Sequence, residues 1–322
     1  MKINVSMPPQ DKEFNLTTDN LLDAARVFCH GDIQVEPDTK HIIAFAMMKS
    51  GSSFIVNALS QVLSYRLEEY SKKFIPNEYW KKLGIQDDLS LCGFFNGNHT
   101  PELPLLLMSS FKHNTVSQQH AIADAPTLWA LKSFANVHPV VLQRNLLDAL
   151  LSMHDDIMKE ADRSERAWGT DKMMWGTHIF HYQSPQVWDR FFNLPFEERI
   201  DELITFSAPW YFSFLASWRK AAELNVISPL FLRYEDLPGN EEWFIRQILE
   251  FSGHAVSSEE LSHGISRARG DRERSRINVG VNGRGKEKLS KQQIDRVCRI
   301  GKFIADDDII QEFVLNDYRD NR

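Results

Sequence analysis

The chain has 322 residues, 43% hydrophobic and 25% charged, enough apolar surface for one large core or two modest ones. That composition excludes low-complexity, collagen-like and disordered chains. A net charge of −7 argues against broad, non-specific nucleic-acid binding. The charge is uneven: Arg267 to Lys302 holds twelve Lys/Arg against four Asp/Glu, a local +8, which leaves the rest at −15.

The first residues, Met1 to Gln10, lack the apolar core of a signal peptide. No apolar run approaches the ~20 residues of a membrane helix. Cys29, Cys92 and Cys298 form no CxxC pair and read as reduced thiols, so the expected compartment is cytoplasmic.

Residues 1–39 are polar and read as an N-terminal extension, with a possible helix over Asn20–Phe28. His41–Met47 is a short apolar run, the mark of a buried strand. It ends at Lys49-Ser50-Gly51-Ser52-Ser53, and Phe54, Ala58, Leu59, Val62 and Leu63 then share one helical face. Thr115–Ala121 is a possible strand. Pro139–Gln143 is a second buried strand, leading through Arg144-Asn145 into a helix that begins near Leu146. Ser228–Tyr234 is a third, and helices follow over Glu241–Phe251 and Ser290–Ala305. Strands alternating with helices predict a single α/β domain with a mostly parallel sheet flanked by helices. Residues 160–215, rich in Trp and His, read as a helical insertion or lid.

A loop from a parallel strand into a helix N-terminus is a natural anion site, because the first-turn amides are unsatisfied and the dipole is positive there. Lys49 to Ser53 supply a cation, hydroxyls and a glycine that allows close approach. The loop is P-loop-like but not a Walker A motif: its lysine precedes the glycine and no earlier glycine is present. A Ser-rich helix cap beside a solvated lysine explains it equally well. Arg144 stands at a strand's carboxyl end, where open α/β sheets bind ligands. Asp148 and Ser152, four apart, share a helix face. Alone, these are an ordinary surface arginine and serine. Gly280, Gly283 and Gly285 with Arg284 and Lys286 form a loop able to wrap a phosphate, or one that is simply solvated.

Taken in order, these segments resemble the sulfotransferases that use 3′-phosphoadenosine 5′-phosphosulfate (PAPS). Lys49-Ser50-Gly51-Ser52-Ser53-Phe54 resembles the family's 5′-phosphosulfate loop, PKSGTTW. Arg144, Asn145, Asp148 and Ser152 match its 3′-phosphate motif, RNPKDVAVS, at the same spacing. Leu232–Leu237 and Ile245–Phe251 are similar to its late strand and helix, and the Gly280/Gly283 loop to its RKGxxGDW segment. The resemblance runs from about residue 41 to residue 300.

It implies a transferase that moves a sulfuryl group from PAPS to a hydroxyl or amine of an acceptor, without a metal. Lys49 with Ser50, Gly51, Ser52, Ser53 and Phe54 would hold the phosphosulfate end. Arg144, Ser152, Tyr234, Gly283 and Arg284 would hold the rest of the nucleotide. The implied base is His120, with His113 and His138 as rivals. His178 and His181, at i and i+3, lack a third metal ligand and are read as structural. Met48, Phe54 and Gln118 replace the family's Pro, Trp and Lys, and Asn278-Val279 replace an Arg-Lys, which leaves Arg276 and Arg284 to supply the charge. The family's dimer motif is degraded at Lys286 to Asp295, so oligomeric state does not carry over. The expected partner is a small-molecule or carbohydrate acceptor, with no nucleic acid and no membrane span. Residues 70–112 and 160–215 are its expected pocket, and their aromatics serve core packing equally well. The alternatives are a non-catalytic nucleotide-binding protein of the same fold, an atypical P-loop kinase, and a plain α/β protein that binds nothing.

Overall fold

The computed structural model describes residues 40–64, 66–68, 114–133, 136–164, 190–271, 275 and 281–316. Five parallel strands form one sheet in the order β2-β3-β1-β4-β5. They are β1 (His41–Ala46), β2 (Arg66–Glu68), β3 (Thr115–Gln119), β4 (Val137–Gln143) and β5 (Leu230–Arg233). The helices are α1 (Ser52–Leu63), α2 (Ala125–Ser133), α3 (Leu146–Ser164), α4 (Phe196–Glu223), α5 (Glu241–Phe251), α6 (Ser258–Gly270), α7 (Arg284–Lys288), α8 (Lys291–Gly301) and α9 (Asp307–Ile310). No described helix is long and apolar enough to cross a membrane.

Helices cover both sheet faces, so β1 is buried along its whole length and reads as an unbroken apolar run. Its side chains still alternate between two cores. Ile43, Phe45 and Met47 pack with α3, α4 and the C-terminal residues Ile309 to Val314. Ile42, Ala44 and Ala46 pack with α1, α5 and α6. At the α1–α6 crossing a Cβ on Gly264 would stand 2.4 Å from a Val62 methyl, so the closeness of the two helices depends on that glycine.

Residues 196–215, inside the expected insertion, belong to the 28-residue helix α4. Its Ile200, Leu203, Ile204, Tyr211, Phe212 and Phe214 lie in the first core. The C-terminal end is tied down by charge: Glu312 accepts from Arg219 and Arg233, whose guanidiniums lie over the Phe313 ring. Residues 20–28, 70–112 and 165–189 lie outside the described residues, as do His113, His178, His181 and Arg276.

Candidate active site

All five strands are parallel, so β1, β3, β4 and β5 deliver Met47, His120, Arg144 and Tyr234 to the same edge of the sheet. The chain crosses from one side of β1 to the other between β3 and β4, which makes the end of β1 the switch point where such sheets take ligands.

The loop after β1 turns through two left-handed residues, Lys49 at φ 68° and Gly51 at φ 77°. Glycine adopts this conformation freely, but a lysine there is strained by about 1 kcal/mol. Neighbours hold the strained loop in place. The Met47 amide donates to Leu142 O at 2.9 Å, and the Ser50 hydroxyl to Met47 O at 2.6 Å. Tyr211 Oη, from α4, donates to Met48 O at 3.2 Å, and Arg144 Nη1 to Lys49 O at 2.6 Å. Gly51 lies against Tyr234, where a Cβ would stand 2.8 Å from two ring carbons. Gly51 is also the N-cap of α1 and brings no side-chain cap to the first turn. The Ser50 hydroxyl thus braces the loop, Ser52 and Phe54 are buried beside it, and Ser53 is half-buried.

Lys49 Nζ meets Asp156 Oδ2 at 3.0 Å. Arg284, the other cation assigned to the nucleotide, meets Asp155 Oδ2 at 2.9 Å. The pairing with Asp155 and Asp156 does not show in the sequence motifs. The helical signal for it is present: both residues stand three to four positions after Ser152 and so face the same way. His154 first, and Arg284 after it, hold the Asp155 carboxyl below the usual carboxylate range.

Arg144 stacks over Tyr234 at 4.0 Å from the ring centroid. Its Nε is buried without a hydrogen-bond partner. Ser152, two helical turns further along α3, is buried on the same face. Asn145 caps α3 by accepting from the amides of Leu147 and Asp148 at 3.0 and 3.2 Å. The Asn145 amide donates to Glu235 Oε1 at 2.7 Å, and burial pushes that carboxyl up. The Gly283 amide, a predicted nucleotide contact, donates to Asp148 Oδ2 at 2.6 Å.

His120 sits between two partners. Nδ1 lies 2.8 Å from Ala46 O, and Nε2 lies 2.9 Å from Gln118 Nε2. A carbonyl only accepts, so Nδ1 carries the proton and Nε2 presents its lone pair to the Gln118 amide. Burial pulls the imidazole pKa down, the Ala46 carbonyl partly opposes this, and the Lys49 charge lowers it further. The hydrogen bonds and the burial of His120 thus both favour the neutral imidazole. His138 lies near the amino end of β4, opposite Ile42 and against the Phe251 ring, so it is remote from this edge. Among the described residues no three His, Cys, Asp or Glu gather to hold a metal.

A ligand suited to these groups is anionic. Two cations, an uncapped helix start and an orphaned buried guanidinium N–H all favour negative charge. PAPS fits that donor set, with Lys49 and the α1 turn for one end and Arg144 with Ser152 for the other.

At the sequence level no curated protein matches this chain. Among solved structures it shares its fold with mouse sulfotransferase SULT7A1 complexed with PAP, at TM-score 0.51 and 13% identity over 93% of this chain and 95% of that one. Retinol dehydratase in complex with androsterone and inactive cofactor PAP overlaps less closely, at TM-score 0.41 and 12% identity, over 93% of this chain and 87% of that one. A sulfotransferase from Alicyclobacillus acidocaldarius gives TM-score 0.39 and 14% identity, over 85% and 98%. Residues 39–276 match the sulfotransferase domain model, so the chain belongs to the sulfotransferase domain family.

Proposed function

We propose that the protein transfers a sulfuryl group from PAPS to a hydroxyl or amine of a small-molecule or carbohydrate acceptor, with His120 as general base. The observation that carries this reading is the convergence at one sheet edge of the Lys49–Gly51 turn, Arg144 with its unpartnered Nε, and the neutral Nε2 of His120. PAPS, when bound, supplies an activated sulfuryl group with a stable phosphate as leaving group. Lys49 exchanges Asp156 for the anionic end of the nucleotide and neutralises the charge that develops on the leaving oxygen. Arg144 and Ser152 hold the 3′-phosphate, the guanidinium through its remaining N–H groups. His120 Nε2 takes the acceptor's proton, while Ala46 O fixes the opposite ring nitrogen as the donor. Gln118 must give up Nε2 to the acceptor.

Purified protein given PAPS and a panel of hydroxyl and amine acceptors should release adenosine 3′,5′-bisphosphate. His120→Ala should slow turnover at least about 100-fold. Unchanged turnover in that variant removes His120 from the role. One observation favours a second reading, a nucleotide-binding protein without turnover: Gln118 and Asp156 already occupy the two reactive groups. Tight bisphosphate binding with no transfer to any acceptor would select it.

A further inference from the structure

We propose that Asp148 is a positioning residue: it latches the segment 281–289, a turn followed by α7, onto α3, and so sets the protein's preference for a 3′-phosphorylated nucleotide. The ligand part of this rests on the function proposed above; the latch itself does not.

Asp148 is 3% exposed, in the first turn of α3. Both of its oxygens are engaged. Oδ2 accepts from the Gly283 amide and Oδ1 from the Gly285 amide, each at 2.6 Å. These are short, charge-assisted bonds inside the protein. The backbone is shaped to meet them. Gly283 lies at φ 80°, and a Cβ on Gly285 would stand 2.3 Å from the Leu147 carbonyl carbon. A side chain at 285 would push the loop off α3. A third tie runs to the end of β5, where Asn282 Nδ2 donates to Glu235 O at 3.1 Å. Glu235 in turn accepts from the Asn145 amide at 2.7 Å. Loop, strand end and helix start therefore close a ring of buried and part-buried hydrogen bonds.

Arg144 stands four residues before Asp148, at the end of β4 just ahead of α3, and Ser152 stands four residues after it, one turn further along the helix. The latch thus fixes where the loop sits relative to the two side chains assigned to the 3′-phosphate. Charge and positioning predict opposite effects here. A carboxylate beside a phosphate site repels the ligand, so on charge alone its neutralisation should tighten binding. If Asp148 acts by holding the loop, the same change weakens binding.

Asp148→Asn keeps the shape but turns an N–H toward one of the two amides. Asp148→Glu keeps the charge but cannot seat both oxygens on the same pair, and it serves as a second variant. The first readout is hydrogen–deuterium exchange over 281–289 in the nucleotide-free protein, expected to quicken at least about 10-fold in both variants. The second is calorimetry with adenosine 3′,5′-bisphosphate and with adenosine 5′-monophosphate. Affinity for the bisphosphate should fall about 10- to 100-fold and for the monophosphate by less than about 3-fold. Unchanged exchange overturns the latch. Unchanged or tightened bisphosphate binding, or equal losses for both nucleotides, overturns its role in selectivity. A wild-type protein that binds neither nucleotide overturns the proposed function and the selectivity together, while the exchange result still decides the latch.

Discussion

Asp156→Asn should make the protein bind adenosine 3′,5′-bisphosphate more tightly, although it removes a polar contact from the site. Lys49 and Asp156 stand 3.0 Å apart with side chains 13% and 21% exposed. At that distance two unit charges attract by about 5 kcal/mol at an effective dielectric of 20. Desolvation and side-chain ordering offset most of this, leaving a net of about 1–2 kcal/mol for such a half-buried pair. In the proposed site Lys49 must give up that pairing to meet the nucleotide's 5′ end, so the pair weakens binding by the same amount. Asparagine cannot hold the ammonium by charge, and affinity should rise about 5- to 30-fold. Calorimetry on wild type, Asp156→Asn, Lys49→Ala and the double variant closes the cycle. The gain should vanish in the Lys49→Ala background. Weaker or unchanged binding in Asp156→Asn, or a gain that survives without Lys49, would refute the idea that the two anions compete for one cation.

Two pH effects follow from other residues. Gln118→Glu places a carboxylate on His120 Nε2, which favours the imidazolium and raises the pKa of the base; the acid limb of the kcat/KM profile should move to higher pH, and an unmoved limb would separate Gln118 from the base. Burial, helped by His138, pushes His41 down to about 4, while in the unfolded chain it titrates near 6.5. The unfolded chain therefore binds the extra proton between those values, so this contribution is fully present above pH 6.5 and is lost as pH falls toward 4. The loss should reach about 3 kcal/mol, read from urea midpoints, and should be smaller in His41→Asn; parallel losses in both proteins would contradict it.

The strands β1 and β4 were legible because a strand buried on both faces is a plain apolar run, and β5, a partly buried edge strand, is apolar over Leu230–Leu232. The edge strand β2 was not, since Arg-Leu-Glu is short and charged, as edges tend to be. Helix α6 has a start that is readable in the sequence: Ser257 and Glu260 form a capping box. Helix α4 was hidden inside a stretch that looked like an insertion, because its aromatic residues suggest a pocket as readily as a core. Lys49, Arg144 and His120, which the family resemblance singles out, are brought to one edge of the sheet by β1, β4 and β3. Tyr211, which braces Met48, lies 163 residues from it, and no local pattern encodes such a partnership. The basic stretch from Arg267 to Lys302 also takes on a different meaning in three dimensions. Arg269 pairs with Glu241, Arg284 with Asp155 and Arg296 with Asp201, while Arg267 donates to Gln61 O. Three of the twelve cations in that stretch are thus paired with the acidic remainder of the chain.

Helix α3 explains why these groups act as a set. Arg144 stands two residues before its first residue, and within the helix Asp148, Ser152 and Asp156 follow at four-residue steps, about 6 Å apart along one face. Within this row a cation faces Tyr234 and the Lys49 carbonyl, a carboxylate takes two loop amides, and another takes the Lys49 ammonium. A rigid helix fixes the spacing between them, so no one contact can shift far without the others. The two acidic positions differ in kind. Asp148 binds backbone amides that stay with it when a nucleotide arrives. Asp156 binds a side chain that must leave. Neutralising the first should therefore weaken nucleotide binding and neutralising the second should strengthen it, although each removes one negative charge from the same face of the same helix. A site governed by net charge alone would respond to both in the same direction.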